Sequence, residues 1–322
     1  MKRSELLSRV LISVGILLLV VVPVIARKVG AQGTIEVHAR MAGAGGWTPN
    51  VLFAEVGVPL HLHLTSDDVT HGFAVGQSNQ PAVDVLPGKM TDMTLTFDKP
   101  GTYTFYCTRW CGADHWRMRG TIQVAGSSQE EPQAVSAPLY TILGLNIDVA
   151  HPASVTPETR PSAERGVIFV SRLSSKYLTS DYYRSHSPAQ VFTDLRADPA
   201  MSESRDSDLW DVVAFIWQSN ATSDSLNAGQ KLYTQNCAAC HGEKGYGNGV
   251  FAEDVKALVN QTPAKFADPN SMLGASPALL QGKILRGGMG TGMPSWGPIL
   301  TDVQTWNLIS YLYTFQFEEM NK

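Results

Sequence analysis

The sequence predicts a multi-domain chain: one apolar N-terminal helix, then a β-sandwich, then an all-α region. Three observations carry this reading. Residues 10–26 form an apolar run interrupted only by Ser13, Gly15 and Pro23. Residues 31–125 contain short β-branched and aromatic stretches punctuated by Pro and Gly, the pattern of closely spaced strands. Residues 141–322 read as helix and loop. The length of 322 residues suits about two or three domains. A hydrophobic content of 43% is enough to build cores, so the chain is not mainly disordered. With 25 basic and 29 acidic residues the net charge is −4, which argues against nucleic acid as a partner.

Residues 1–30 are taken as a cytoplasmic N-terminus and a transmembrane anchor. At 1.5 Å per residue the apolar run spans roughly 26 Å, enough for one membrane crossing. Lys2, Arg3 and Arg9 precede it and favour a cytoplasmic N-terminus; Arg27 and Lys28 follow and weaken that vote. The run exceeds a secretory signal core and no small-x-small site closes it, so an uncleaved single-pass anchor in the plasma membrane is expected. The remainder then lies on the periplasmic or extracellular side.

Residues 31–125 are expected as a β-sandwich, with strands near 34–37, 60–64, 93–97 and 102–106. Residues 126–140 are polar and without periodicity, hence a linker. The segments 141–222 and 223–322 echo one another. Ser187-Pro188-Ala189 recurs as Ser276-Pro277-Ala278, and the Leu209-Trp210-Asp211 helix recurs in pattern around Thr305-Trp306-Asn307. The first copy has no cysteine and reads as a helical duplicate without a cofactor.

The four cysteines form two close pairs, too few for a disulfide scaffold. Cys107, Cys111, His115 and Met118 fall within twelve residues, and His71 lies upstream. Thiolate, imidazole and thioether together select copper over harder metals. Two thiolates on one loop can bridge a pair of copper ions, each taking one imidazole. Met118 then serves as a weak axial ligand and a loop carbonyl as its counterpart. A Cys107–Cys111 disulfide or a Cys2His2 zinc site would use the same residues and stays as an alternative. His38, His61 and His63 read as strand histidines outside this set.

These residues carry a resemblance. Asp67-Asp68-Val69-Thr70-His71-Gly72-Phe73, Val85-Leu86-Pro87-Gly88, Pro100-Gly101-Thr102-Tyr103 and the Cys-x3-Cys-x3-His-x2-Met loop are similar to subunit II of haem-copper oxidases, over roughly residues 1–125. The resemblance implies a cupredoxin-like fold and a binuclear copper A centre. Its ligands would be His71, Cys107, Cys111, His115, Met118 and the backbone carbonyl of Arg109. That family often has Glu where this chain has Arg109, so its magnesium site is not expected here. Trp47, Trp110 and Trp116 are aromatic candidates for electron input, although packing explains each of them as well.

Cys237-Ala238-Ala239-Cys240-His241 is a C-x-x-C-H signature for covalent haem c. Two thiols on one helical turn reach the two vinyl groups of a porphyrin, and the adjacent imidazole reaches the iron. The loop 287–297 offers Met289 and Met293 as the second axial ligand. Met293 precedes Pro and is preferred, with Met289 as the fallback. Residues 223–320 resemble a class I cytochrome c, in which Gly229 and Tyr233 would face the final helix.

Two closed redox centres on one anchored chain suggest a wire. The resemblance implies an electron-input subunit of a cytochrome c oxidase. It would take electrons from a soluble cytochrome c or small copper protein and deliver them to a membrane-embedded haem-copper catalytic subunit I. A nitric oxide reductase subunit and a stand-alone anchored carrier are the alternatives. No residue of this chain is read as an oxygen-reducing site.

Overall fold

The computed structural model describes residues 33–78, 80–109, 111–112, 115–126, 137–288 and 292–318. The predicted anchor, most of the predicted linker, Trp110 and Met289 lie outside the described residues. Among the described residues no helix is long and apolar enough to cross a membrane.

Among the described residues nine strands build a two-layer sandwich. They are β1 (Ile35–Ala39), β2 (Trp47–Thr48), β3 (Val51–Glu55), β4 (Leu60–Ser66), β5 (His71–Val75), β6 (Val83–Val85), β7 (Thr91–Leu95), β8 (Gly101–Tyr106) and β9 (Arg119–Ala125). One sheet has the order β2-β1-β4-β7 and the other β3-β9-β8-β5-β6. Alternation sets the faces. In β4, Leu60, Leu62, Leu64 and Ser66 are buried while the intervening residues face outward. His61 and His63 therefore point away from the core, and each meets a β7 residue: His61 Nδ1 lies 3.0 Å from Thr94 Oγ1, and His63 Nε2 lies 3.2 Å from Asp92. Trp47, Phe73 and Phe105 fill the space between the sheets in edge-on and stacked contacts with centroids 5.2–5.8 Å apart. β5 departs from alternation, since all five residues are buried. Phe73 and Val75 meet the sandwich core, and Thr108 and Arg109 lie over Gly72 on the other face.

The helical region contains α1 (Leu139–Ile142), α2 (Ala163–Gly166), α3 (Ser180–Ser185), α4 (Pro188–Ala197), α5 (Asp206–Ser219), α6 (Ser223–Asn236), α7 (Ala238–His241), α8 (Ala252–Val259), α9 (Pro269–Met272), α10 (Pro277–Arg286) and α11 (Asp302–Tyr313). The repeated Ser-Pro-Ala tripeptides do the same local work. Ser187 and Ser276 each cap a helix by accepting a backbone N–H, and the following Pro occupies the first turn, where no N–H is needed. Thr222 and Thr301 cap α6 and α11 with reciprocal side-chain bonds.

Two close helix crossings organise the region. A Cβ on Gly229 of α6 would lie 2.2 Å from the Asn307 carbonyl of α11. A Cβ on Gly166 of α2 would lie 2.0 Å from the Asp211 carbonyl of α5. Only glycine permits either approach. One continuous core then runs across residues 147–317, with Trp217 of α5 packed edge-on against Tyr313 of α11 at 5.5 Å.

Candidate copper and haem centres

Strand pairing explains how His71 reaches a loop more than thirty residues away. β8 and β9 form an antiparallel pair that ends at Tyr106 opposite Arg119, so Cys107 and Met118 leave the sheet side by side. The Cys107 N–H donates to the Met118 carbonyl at 3.1 Å. β5 lies antiparallel to β8 with Ala74 opposite Tyr106, which carries His71 beyond the end of β8 and beneath the loop. Gly72 lets the loop settle there: its N–H points at Cys107 Sγ at 3.4 Å, and a Cβ would meet Thr108 Oγ1 at 2.1 Å.

The structure brings the six predicted donors together. Cys107 Sγ lies 3.9 Å from Cys111 Sγ, 3.7 Å from His71 Nδ1 and 3.2 Å from the Arg109 carbonyl oxygen. Cys111 Sγ lies 3.5 Å from His115 Nδ1 and 3.2 Å from Met118 Sδ. His71, Cys107, Cys111 and Met118 are buried. The two sulfurs are unbridged, and 3.9 Å is far beyond a disulfide bond. It is also shorter than two metal–thiolate bonds of about 2.3 Å, so both sulfurs can touch the same ion. Each sulfur has its own imidazole, and each side has one further weak donor, the Arg109 carbonyl or the Met118 thioether. This set fits a pair of soft metal ions.

Electrostatics agree with a shared negative charge. The Cys107 thiol is pulled far down by its hydrogen bond with Cys111, against burial, with help from His115, His71 and the Gly72 N–H. Cys111 is pushed up by the neighbouring Cys107 thiolate and by burial. For His71, burial opposes the charged form, but bonds to Cys107 and Asp68 outweigh it and raise its pKa.

Asp68, and Trp47 in a way other than the predicted electron input, support the site. Asp68 accepts from His71 Nε2 at 2.7 Å, which leaves Nδ1 as the lone-pair nitrogen facing the sulfurs. Asp68 is held in turn by the N–H groups of Met41 at 2.7 Å and Val69 at 2.6 Å. Trp47 is buried and donates through Nε1 to the Met118 carbonyl at 3.1 Å. The spacing of a carboxylate three residues before His71 was the available signal for Asp68. Arg109 makes a two-pronged ion pair with Asp84 on β6, at 2.8 and 3.0 Å, which anchors the loop residue whose carbonyl faces Cys107.

In the helical region, Cys237 caps α7, and Cys240 and His241 lie within the single turn that follows. Burial pushes the thiols up, Cys237 to about 12 and Cys240 to about 11, so both stay protonated. His241 Nδ1–H donates to the Ala264 carbonyl at 2.9 Å, and the ring stacks on Phe266 at 4.5 Å. The carbonyl can only accept, so Nε2 is the lone-pair nitrogen. Burial also lowers the His241 pKa, keeping the ring neutral. Tyr233, buried beside the Gly229 crossing, donates to the Gly242 carbonyl at 2.6 Å and fixes the end of this turn. Met293 sits at the neck of its loop: its carbonyl accepts the Gly288 N–H at 3.1 Å, and Gly287 adopts a positive φ against it. Two half-buried thiols and an oriented neutral imidazole suit a covalent haem c.

Residues 48–125 match the family described as cytochrome c oxidase subunit II, periplasmic domain. Residues 224–312 match the family described as cytochrome c oxidase, cbb3-type, subunit III. The chain thus joins a cupredoxin-like domain of the oxidase subunit II type to a helical cytochrome c-type domain. Among curated proteins, it is 40% identical over 84 residues to cytochrome c oxidase subunit 2 of Thermus thermophilus, covering 26% of this chain and 62% of that one. A second Thermus thermophilus subunit 2 is 40% identical over 84 residues and is covered to 49%. The match therefore spans about half to three-fifths of these relatives. Among solved structures, the periplasmic domain of subunit II of cytochrome oxidase from Bradyrhizobium japonicum aligns at 21% identity and a TM-score of 0.26, covering 30% of this chain and 85% of that one. A heme-copper terminal oxidase dimer chain aligns at 24% identity and a TM-score of 0.25, covering 38% and 100%.

Proposed function

We propose that this chain is the electron-input subunit of a haem-copper terminal oxidase. It takes electrons from a soluble cytochrome c or small copper protein and delivers them to a membrane-embedded catalytic subunit. The observation that carries the reading is the clustering of His71, Cys107, the Arg109 carbonyl, Cys111, His115 and Met118 in one buried site. They would hold a binuclear copper A. Cys237 and Cys240 would tether one haem c, with His241 and Met293 as its axial pair. Bound there, these groups supply one-electron chemistry. The copper donors come entirely from the chain, and His71, Cys107, Cys111 and Met118 are buried, which supports electron transfer rather than substrate binding at that site. Six donors also exceed the four that a structural zinc site needs.

The apolar run at residues 10–26 would anchor the chain in the plasma membrane with its folded domains outside the cytoplasm. Residues 141–222 are read as a haem-less copy of 223–322. Support comes from the two glycine crossings, since Asp211 and Asn307 hold equivalent places after Trp210 and Trp306 and both receive a glycine on their carbonyls. The test is elemental analysis with optical and electron paramagnetic resonance spectra of the purified chain. Two Cu and one Fe per molecule, with a mixed-valence dicopper signal, are expected. Absence of either metal from fully matured protein refutes the corresponding site. Co-purification with a multi-helix subunit that consumes oxygen tests the assignment to an oxidase.

A further inference from the structure

The sandwich and the helical region meet along a seam, and the seam falls on the copper and haem loops themselves. Next to Met118, Arg119 Nη1 donates to the Ser295 carbonyl at 2.8 Å, and its guanidinium lies over the Trp296 ring at 5.3 Å. Ser295 is two residues from Met293. Next to His115, Trp116 packs edge-on against Phe251 at 4.9 Å. The Phe251 N–H is bonded to the carbonyl of Ala239, inside the C-x-x-C-H turn. A third contact closes the seam. Gln77 donates from its backbone to Ile299 at 2.8 Å and from its side chain to Gly297 at 2.7 Å. It does so at a φ of +54°, a conformation a non-glycine residue adopts only when neighbours hold it there. A Cβ on Gly76 would lie 2.7 Å from Ile299 Cα, so the two backbones are in direct contact.

Arg119 stands out on this seam. Burial disfavours its charge, and none of the described carboxylates pairs with it. Its partners are instead a carbonyl and an aromatic face on the loop that carries Met293. We propose that Arg119 is the positioning residue that docks the Met293 loop on the copper loop and, among the described residues, makes the hydrogen-bonded step that joins Met118 to the stretch beside Met293. The route runs along the chain from Met118 to Arg119, across the bond to Ser295, and along the chain through Pro294 to Met293. In each transfer one electron moves: the haem site is oxidised by one, the copper site is reduced by one, and no bond or proton changes place. The seam makes this a fixed wire that needs no swinging of the helical region. This inference rests on the assignment of the two centres above, and metal content and spectra of the wild-type chain test that assignment separately.

The experiment compares the full chain with Arg119→Ala and Arg119→Lys. Intramolecular electron transfer is timed after photoreduction, and both midpoint potentials are measured. Amide hydrogen exchange at Gln77 is followed in copper-depleted chain, where it reports the seam independently of electron flow. Arg119→Ala is expected to slow transfer several-fold with both potentials and metal contents at wild-type values. Gln77 exchange should rise roughly tenfold, as expected for the loss of one charge-assisted hydrogen bond across the seam. Arg119→Lys keeps the charge and one donor and should recover part of both. Transfer within twofold of wild type in Arg119→Ala refutes the proposal, as does a loss that tracks a shifted potential or unchanged Gln77 exchange.

Discussion

Asp68 offers a direct test of how the copper site is built. Its Oδ1 accepts from His71 Nε2 at 2.7 Å and from the Val69 N–H at 2.6 Å, and its Oδ2 accepts from the Met41 N–H at 2.7 Å. Every partner is a donor. Asp68→Asn keeps the shape but replaces one oxygen with an NH2 group, so at least one donor must face another. If the amide nitrogen turns to His71, the imidazole loses the bond that fixes its tautomer and its Nδ1 direction. If it turns to Met41, the turn that presents Asp68 loosens. Substitution of such supporting groups costs about 10–100-fold in metal affinity, or about 1.4–2.8 kcal/mol. The assay is a copper competition titration against a chelator on the purified chain, with circular dichroism to verify folding. A folded Asp68→Asn chain that binds copper within twofold of wild type refutes the idea that Asp68 orients His71.

The other predictions address the haem ligand, a pH response and a helix crossing. Met293→Ala should convert the haem to a high-spin or externally ligated form in optical spectra, whereas Met289→Ala should not; the reverse result makes Met289 the ligand. His38 should titrate above 6.5, because Asp67 accepts from its Nδ1 at 2.8 Å and Glu36 lies 3.2 Å from Nε2. The fold favours the protonated ring, so this contribution to stability is complete below pH 6.5 and is lost as pH rises through the raised pKa. An NMR titration that puts His38 at or below 6.5, or that is unmoved by Asp67→Asn, contradicts it. Gly229→Ala places a Cβ 2.2 Å from the Asn307 carbonyl and 2.8 Å from Tyr311 Cβ, and α6 must separate from α11. Urea unfolding should show a loss of about 1–3 kcal/mol, while Gly43→Ala, which meets nothing within 4 Å, serves as the control.

The sandwich and the donor set were legible in the sequence for different reasons. Strands such as β4 alternate, and their period shows directly which side is buried. The loop ligands sit within twelve residues, so their spacing alone groups them. His71 was harder: nothing local ties it to Cys107, and the tie is the β5–β8 pairing, a long-range fact. β5 itself was hidden because both faces are buried, which removes the alternation that marks a half-exposed strand. Asp68 and Trp47 were visible as residues but not as supports, since their roles depend on hydrogen bonds made by folding. The seam at Arg119, Gln77 and Ser295 could not be read at all. A backbone carbonyl as a partner leaves no trace in side-chain identity, and an Arg after Met118 looks like any surface charge.

The first part of the helical region has a mechanical place in this arrangement. The segment before α2 wraps α10: Gln281 accepts the Leu139 N–H at 3.1 Å, Lys283 donates to the Ile147 carbonyl at 2.7 Å, and Arg286 pairs with Asp148. The last turns of α10 hold the loop beyond Met293, because Ile284 and Leu285 accept the N–H groups of Trp296 and Gly297 at 3.1 and 3.0 Å. Trp217 of α5 braces Tyr313 of α11 from the other side. The stretch from Ser295 to Gly297, which bonds to Arg119 and Gln77, is thus fastened to a helix that residues 139–148 clamp. A flexible tether would let the two centres drift apart and make transfer depend on encounter. On the proposed assignment of the two centres, a clamp that runs from residues 139–148 through α10 to the Cys107–Met118 loop removes that dependence.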